Sequence, residues 1–352
     1  MKKTSGRILV LAAAILVVTI TAVSFLSDLF SPRLITGSGF AMSTFIDQQV
    51  YTLSTSRGNE TISNAMSTLN AFEERLSMYR TDSDIARINQ NAGVASVPVS
   101  DDTFALIKKS VAYCAMSDGL FDITIAPVTQ AWGISGDNPR VPLQEELDSL
   151  KPLVNYQDIL LDETTHSVML RSAGQAIDLG AVAKGEACNL VRELYRQSDL
   201  SAGLLSIGGN IMVVGTKPKD TPFVLGIRDP RGAQNEVIGT VRLTDEVLST
   251  SGDYERVFEQ DGRKYHHIMD PATASPAETD LMSVTVVCED GMYADFLSTW
   301  LFMLGRDAVL QRIDSFDAGV VVIDKQYQVY VSSSLRDVFT PSQDSTYTYH
   351  LD

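Results

Sequence analysis

The stretch AIDLGAVAKGEACN, residues 176–189, sets small residues around one carboxylate and one cation. Asp178, Gly180, Lys184 and Gly185 fall within eight positions, where a buried strand or helix would supply larger side chains. Two interpretations are open. The stretch is a turn leading into a helix, with a solvated lysine, or it brings main-chain groups close to a phosphate or metal beside a positive charge. It lacks the GxGxxG and Walker spacings, so it predicts neither nucleotide-binding fold.

The composition around this stretch is that of a globular protein. The chain has 352 residues, of which 44% are hydrophobic, and it carries a formal net charge of −16. This charge argues against nucleic-acid binding, which depends on neutralising phosphates with Lys and Arg. Cys114, Cys188 and Cys288 lie far apart without any zinc-binding spacing, so we expect three buried apolar side chains.

The N-terminal region predicts a membrane anchor. Lys2, Lys3 and Arg7 precede an apolar run over 8–26, which approaches the roughly 20 residues that a membrane-spanning helix needs. The positive flank places the rest of the chain on the extracytoplasmic face of the cell membrane. Residues 1–30 are therefore assigned to a signal or single-pass transmembrane anchor without a lipid-bearing cysteine. A secretory signal cleaved near TAVS, residues 21–24, is the alternative.

The periodicity of the remaining chain predicts one α+β domain over 36–340, with mixed or antiparallel sheets and packed helices, followed by a C-terminal tail over 341–352. Apolar residues recur at helical spacing over 62–79, while 203–288 is dominated by strand patterns. The pair Asp261-Gly262 predicts a hairpin turn. The helices come early and the strands late, which is typical of α+β rather than alternating α/β folds. The predicted helices are 62–79, a short helix capped by Ser83 and ending near Gly93, 103–117, about 183–197 and about 290–304.

One candidate metal site lies in the last of these helices. Asp295 and Thr299 are four residues apart and share one helix face, and both offer oxygen, which suits Mg²⁺. The alternative is that Asp295 only caps or favours the helix N-terminus, while Thr299 bonds to its own backbone.

A second candidate is the pair His266-His267. Neighbouring residues of an extended strand point to opposite faces, so we expect one histidine to face inward, near Asp270, as a general base. A histidine satisfied within the core is the alternative. The segment SIGGN, 206–210, offers close backbone approach with Asn210 as a polar group, or alternatively a bulge where strands cross.

Eight segments, in this order, resemble the successive motifs of the FAD:protein FMN transferase (ApbE) family over residues 38–305. They are GSGFAMSTF, EERLSMYRTDSDIARIN, DGLFDITIAPVTQAWG, IDLGAVAKGEA, LLSIGGNI, STSGDYERVF, YHHIMDP and YADFLSTWLFMLG. The resemblance implies an Mg²⁺-dependent enzyme that moves FMN from FAD, the donor substrate, onto a Thr or Ser hydroxyl of an acceptor flavoprotein, with release of AMP. It implies an acceptor belonging to a membrane redox complex.

The resemblance also implies roles for individual residues. His267 would be the catalytic base and Lys184 would meet the phosphates. Ala181, through its carbonyl, Asp295 and Thr299 would hold the metal. The FAD-binding residues would be Met42, Tyr79, Leu120, Phe121, Asp122, Asp178, Lys184 and Ile268.

The chain departs from the family pattern at two places. It reads Met42-Ser43-Thr44 where members often read Met-Gly-Thr, and DPATASP over 270–276 where they read DPxTGxP. The first bears on packing around the flavin and the second on the loop beyond His267. Two other functions stay open at this point: an FAD pyrophosphatase that yields FMN and AMP, and an FAD carrier without turnover.

Overall fold

The computed structural model describes residues 31–233, 235–343 and 346–351. The predicted anchor over 8–26 lies outside them. Within the described ranges, no helix has the length and apolar character needed to cross a membrane.

Most of the described helices precede residue 198, and an unbroken run of strands follows from residue 202 to 288. The α-helices are α1 (Thr55–Leu76), α2 (Asp84–Gln90), α3 (Asp101–Met116), α4 (Ala126–Trp132), α5 (Gln144–Leu150), α6 (Gly180–Gln197), α7 (Gly291–Leu304) and α8 (Arg306–Leu310). The first strands are β1 (Arg33–Ala41), β2 (Thr44–Thr52), β3 (Val97–Pro98), β4 (Ile159–Asp162), β5 (Ser167–Leu170), β6 (Ala202–Ile207), β7 (Asn210–Gly215), β8 (Phe223–Arg228), β9 (Val237–Leu243) and β10 (Val247–Gly252). The later strands are β11 (Val257–Gln260), β12 (Arg263–His266), β13 (Met269–Asp270), β14 (Ser275–Pro276), β15 (Leu281–Cys288), β16 (Gly319–Asp324), β17 (Gln328–Val331), β18 (Phe339–Pro341) and β19 (Thr348–His350).

A nine-stranded sheet organises the domain, in the order β1-β2-β6-β7-β10-β15-β16-β17-β19. Its pairs are antiparallel except β17 with β19, so the sheet is mixed. Smaller sheets are β18-β9-β8 and β3-β5-β4, with hairpins β11-β12 and β13-β14. The predicted α+β class with mixed sheets and packed helices is confirmed.

Both faces of the large sheet are covered. In β16, Val320 and Val322 pack in the cluster that contains α1, α6 and α7, while Val321 and Ile323 pack against β8 and β9. This period-two division follows from the alternation of side chains along a strand. A strand buried on both faces reads as a continuous apolar run, as GVVVID does.

The boundaries differ from the sequence-based prediction in two ways. The helix expected from about 183 begins three residues earlier, at Gly180, and ends at Gln197 as expected. Residues 341–352, expected to be a tail outside the domain, instead contribute β19 to the large sheet and the buried side chain of Tyr347. The Asp261-Gly262 turn, with both φ angles positive, connects β11 and β12 as predicted.

The three cysteines are buried and free, as expected. Burial in apolar surroundings raises the pKa of all three thiols, which keeps them protonated at neutral pH.

Candidate active site

A cavity of about 660 Å³ opens beside the N-terminal end of α6. Its walls come from the β1–β2 turn, the end of α1, the segment 120–136, the start of α6, the segment 256–257, the segment 267–269 and one face of α7. Of the residues to which the family resemblance gives a role, all but Asp295 line it. They are Met42, Tyr79, Leu120, Phe121, Asp122, Asp178, Ala181, Lys184, His267, Ile268 and Thr299.

The β1–β2 turn forms one rim of the cavity. Met42 and Ser43 connect Ala41 to the facing Thr44, and both have positive φ, 53° and 57°. A two-residue turn of this kind matches the strand twist but favours glycine. The backbone N–H of Met42 donates to a carboxylate oxygen of Glu73 at 2.8 Å, which ties the turn to α1. Ser43 therefore keeps the left-handed backbone that glycine would adopt more easily.

The start of α6 places a carboxylate and a cation on the cavity wall. Asp178 accepts from the N–H of Gly180 at 2.8 Å, and burial raises the pKa of its carboxyl. The ammonium of Lys184 donates to the carbonyl of Gly180 at 2.8 Å and lies 3.9 Å from the Asp295 carboxylate. A lysine held in this way presents a point charge to an anionic ligand.

Gly185 explains why the opening stretch is built from small residues. A Cβ at this position would lie 2.0 Å from the carbonyl oxygen of Gly291 and 2.8 Å from the Cβ of Asp295. Helices α6 and α7 thus cross backbone to backbone, which only a residue without a side chain permits. The small residues serve this helix contact as well as any ligand. Residues 176–179 do lead into a helix, as the first interpretation expects, but the Lys184 side chain is only 20% exposed rather than solvated.

The contact between α6 and α7 places the Asp295 carboxylate in a buried polar cluster. Its carboxylate accepts from the N–H of Gly185 at 2.9 Å, from Asn210 Nδ2 at 3.2 Å and from Ser249 Oγ at 3.3 Å. The helix is capped by Asp290, whose side chain accepts from the N–H groups of Met292 and Tyr293, so the capping alternative for Asp295 is wrong. Thr299 Oγ1 donates to the carbonyl of Asp295 at 3.2 Å while lining the cavity.

The donor set fits a hard cation. Among the described residues, no three His, Cys, Asp or Glu side chains cluster as a soft or borderline metal would require. Carboxylate, hydroxyl and carbonyl oxygens are what Mg²⁺ prefers. Beside Asp295, the buried Oδ1 of Asn210 has no hydrogen-bond partner, and an unpaired buried oxygen is costly unless a cation or donor satisfies it. The residues present therefore fit Mg²⁺.

The two histidines differ in how their ring nitrogens are used. His266 directs Nε2 at the carbonyl of Ala277 at 3.1 Å, and its Nδ1 accepts from the N–H of Ile268 at 3.3 Å. His267 directs Nδ1 at the carbonyl of Glu255 at 3.1 Å. Because a carbonyl can only accept, Nδ1 of His267 carries the proton and Nε2 has the free lone pair.

The surroundings of His267 keep its ring neutral. Burial, with the nearby positive charges of Arg256 and Lys184, lowers the pKa of His267 to about 3. The expectation that Asp270 supports a histidine is wrong: its side chain accepts from the N–H of Ala272 within its own loop. The carbonyl of Glu255 orients the base instead.

The predicted flavin-binding residues contribute in different ways. Asp122 is buried and accepts from Thr124 and from the N–H of Tyr156, so its carboxylate is already occupied. Burial raises the pKa of this carboxyl. Tyr79 is 76% exposed at the cavity mouth, and Ile268 is buried. We infer that Asp122 shapes the wall and Tyr79 offers a free ring face.

Two residues of this region, Asn210 and Arg256, have positions at the site that the sequence did not predict. Asn210 follows the Gly208-Gly209 hairpin turn, rather than a bulge, and reaches Asp295 across 85 residues of chain. Arg256, which lines the cavity beside His267, has no sequence signal beyond its place in STSGDYERVF.

Comparison with known proteins identifies the family. The ApbE family model matches residues 42–323, which is most of the chain. This chain belongs to the ApbE family. A Klebsiella pneumoniae (strain 342) protein named FAD:protein FMN transferase is 34% identical over 273 residues, covering 77% of this chain and 84% of the relative. A Treponema pallidum (strain Nichols) protein of the same name is 34% identical over 267 residues, covering 71% and 74%.

Solved ApbE structures share the fold. The ApbE protein of Thermotoga maritima superposes with a TM-score of 0.81 at 30% identity, covering 87% of this chain and 99% of that one. The flavinyl transferase ApbE of Pseudomonas stutzeri, in its apo form, gives a TM-score of 0.75 at 28% identity, covering 89% and 96%. The expected family and fold are thereby confirmed.

Proposed function

We propose that this ApbE protein is an Mg²⁺-dependent FAD:protein FMN transferase. The observation that carries the proposal is the hydrogen bond from His267 Nδ1 to the Glu255 carbonyl. It leaves an unprotonated Nε2 in the cavity that Lys184 and Thr299 also line. A base and a cation in one cavity, with the hard-metal donors Thr299 on its wall and Asp295 beside it, suit transfer of a phosphoryl group to a hydroxyl. The names of the 34% identical relatives support FAD as the donor and a protein as the acceptor.

The reaction has a simple atom balance. His267 Nε2 takes the proton of a Thr or Ser hydroxyl on the acceptor, and the hydroxyl oxygen bonds to the phosphorus of the flavin half of FAD. The bond from that phosphorus to the bridging oxygen breaks, and AMP leaves with the oxygen and its electron pair. Lys184 binds the pyrophosphate electrostatically throughout. The product is an FMN phosphodiester on the acceptor.

The metal would be held by the Ala181 carbonyl, Asp295 and Thr299. When bound, Mg²⁺ would neutralise the charge of the pyrophosphate and polarise its phosphoryl oxygens. Within the chain itself, the crossing of α6 and α7 holds the Asp295 carboxylate against the N–H of Gly185, in the turn of helix that also carries Lys184.

The test is incubation of the purified protein with FAD, Mg²⁺ and a candidate acceptor domain, followed by intact-mass measurement. An acceptor that gains one FMN, together with free AMP, supports transfer. Free FMN with an unmodified acceptor would instead indicate a pyrophosphatase, and unchanged FAD would indicate a carrier. An acceptor whose Thr and Ser residues in the modified segment are replaced by Ala is the matched control.

We further propose that residues 8–26 anchor the protein, with the catalytic domain on the extracytoplasmic face and an acceptor in a membrane redox complex. The apolar run of nineteen residues behind Lys2, Lys3 and Arg7 supports this arrangement. The native protein should fractionate with membranes and keep its N-terminal residues. A mature N-terminus near residue 25 in the purified native protein would contradict it.

A further inference from the structure

The turn between β10 and β11 carries four polar residues, and the first three have partners. Arg231 pairs with both carboxylate oxygens of Asp253, at 2.8 and 2.7 Å. Arg228 donates to the Glu255 carboxylate at 3.1 Å and stacks over the ring of Tyr254. The fourth residue, Arg256, makes no side-chain hydrogen bond or ion pair within the described part of the chain.

This lack of a partner follows from the occupancy of the neighbouring acids. The two carboxylates closest to Arg256 in sequence, Asp253 and Glu255, are already taken by arginines from β8 and the loop that follows it. A guanidinium is charged at every accessible pH. Within the described residues, the turn therefore presents one cation without an ion-pair partner, in a chain whose net charge is −16.

The backbone of Arg256 is held in an unfavourable conformation. Its φ is +42°, in the left-handed region that costs a residue with a Cβ about 1–2 kcal/mol. The residue after it, Val257, begins β11 and pairs directly with His266. Such outliers persist where the surrounding structure fixes them and are concentrated at functional sites.

The side chain of Arg256 faces the groups that the reaction would use. It lines the same cavity as His267 and Lys184. Its positive charge acts to lower the pKa of His267, Asp178 and Tyr79, which come from three separate parts of the chain. Arg256 thus lies on the cavity wall, within electrostatic range of these three residues.

An anion that bridges two separated cations fits this arrangement. Lys184 supplies a point charge at the start of α6, while Arg256 supplies a planar fork that suits bidentate contact with phosphate oxygens. The same turn holds His267 through the Glu255 carbonyl, so the cation and the base keep a fixed relation to each other. A phosphate between them would be adjacent to the attacking hydroxyl.

We propose that Arg256 binds the phosphate of the flavin half of FAD and stabilises the charge on its oxygens while the acceptor oxygen attacks. The inference rests on the proposed transferase function. Arg256 keeps its protons during the step: the acceptor proton goes to His267, and the bridging electron pair leaves with AMP.

The test compares Arg256→Gln and Arg256→Lys with Arg263→Gln, a matched loss of charge on the adjacent hairpin, where Arg263 pairs with the exposed Glu278. Binding of FAD, FMN and riboflavin is followed by flavin fluorescence in the presence of a chelator, and transfer is followed in single turnovers with Mg²⁺. We expect Arg256→Gln to weaken FAD and FMN binding about 10-fold or more, the worth of a charge-assisted hydrogen bond. Riboflavin, which has no phosphate, should bind with unchanged affinity.

The rate of transfer at saturating FAD should fall about 10²-fold in Arg256→Gln, the loss typical when a hydrogen-bond donor to a developing oxyanion is removed. The rate should fall less in Arg256→Lys. Arg263→Gln should match the wild type. Equal weakening of riboflavin and FMN, or wild-type affinity and rate in a folded Arg256→Gln, would overturn the inference. A wild-type protein that binds FAD without transfer would refute the proposed function instead, and the comparison of FMN with riboflavin would still decide the role of Arg256.

Discussion

The two halves of the candidate site are built in opposite ways. On the metal side, Asp295 is buried, accepts hydrogen bonds from three different elements, and lies where α6 and α7 touch backbone to backbone. On the base side, His267 lies just beyond a strand end and is oriented by one carbonyl of an exposed turn. The first half is fixed by core packing, whereas the second depends on a turn held by the ion pairs of Asp253 and Glu255.

This difference separates the expected consequences of substitution. A change on the metal side removes packing and buried hydrogen bonds together with chemistry, so it should reduce both stability and activity. A change on the base side removes one hydrogen bond at the surface of the core, so it should reduce activity while the fold persists.

The largest effect should come from Asp295. Asp295→Ala removes the anionic metal ligand and leaves the N–H of Gly185 and the amide of Asn210 without their acceptor. Transfer should fall below detection, excess Mg²⁺ should rescue it poorly, and the free energy of unfolding should fall by about 1–3 kcal/mol. Transfer assays and urea unfolding measure the two quantities.

Asp295→Asn is the matched control, because its amide oxygen can still accept hydrogen bonds while the charge is lost. It should recover part of the stability and none of the activity. A fully active Asp295→Asn or Asp295→Ala protein, or a wild type unaffected by a chelator, would remove the metal from the mechanism.

His267→Ala should lower the transfer rate by roughly 10²–10⁴-fold with FAD binding retained, the usual contribution of a general base. His266→Ala should stay within several-fold of the wild-type rate, because both of its ring nitrogens already bond to the backbone. It should instead lower stability by about 1 kcal/mol. Equal losses of activity in the two variants would indicate a structural pair.

His267 should also leave a signature in the dependence of stability on pH. Its folded-state pKa, about 3, lies below the ordinary value of 6.5, so the unfolded chain binds the proton first as pH falls. This contribution to stability is complete above pH 6.5 and is lost progressively from there to about pH 3. Urea midpoints should therefore decline less steeply over that window in His267→Ala than in the wild type. Parallel curves would contradict the low pKa.

Gly185→Ala tests the rigidity of the metal side without touching a ligand. The new Cβ would overlap the carbonyl of Gly291, and such overpacking costs about 1–3 kcal/mol. Thermal unfolding should show the loss, and transfer should fall because Asp295 moves with α7. Gly136→Ala is the control: its Cβ would meet its nearest atom at 3.5 Å, so its stability should match the wild type.

The smallest effect should come from the rim. Ser43→Gly relieves a positive φ of 57° but adds freedom to the unfolded chain, so we expect a gain of ~0.5 kcal/mol in the free energy of unfolding. Ser38→Gly, in the extended strand β1, should lose stability instead. A loss in Ser43→Gly equal to that in Ser38→Gly would show that the turn is not strained.

Local patterns were sufficient to predict the helix that carries Asp295 and Thr299, because their spacing and the apolar period lie within one element. Sequence alone could not separate the two histidines by their hydrogen bonds, since Glu255 and Ala277 approach them only after the hairpin and its loop have folded. The choice of His267 came from the family resemblance. The prediction that Asp270 lies beside the histidine was wrong, because the Asp270 side chain accepts a hydrogen bond within its own loop.

Contacts between distant segments account for the features that the sequence did not predict. Arg256 looks like any exposed arginine until the structure shows that its neighbouring acids are paired elsewhere. The role of Gly185 in helix packing could not be predicted, because nothing in the sequence indicates that Gly291, 106 positions later, packs against it. Strand β19 fell within the predicted tail, because a strand of three residues is too short to show a period-two pattern.

The bond between Gly185 and Asp295 joins positions 110 residues apart, and Asn210 and Ser249 lie between them in the sequence. A chain still on the ribosome therefore holds the cavity walls formed by α1, the segment 120–136 and the start of α6, including Lys184, long before it holds the Asp295 carboxylate. Any fragment that ends before α7 lacks Asp295 and Thr299 together, and it also exposes the groove in α6 that Gly291 fills. The proposed metal ligands Asp295 and Thr299 lie on α7, and β16 still follows it and contributes to both hydrophobic clusters. We therefore expect catalysis to begin only when synthesis and folding are essentially finished.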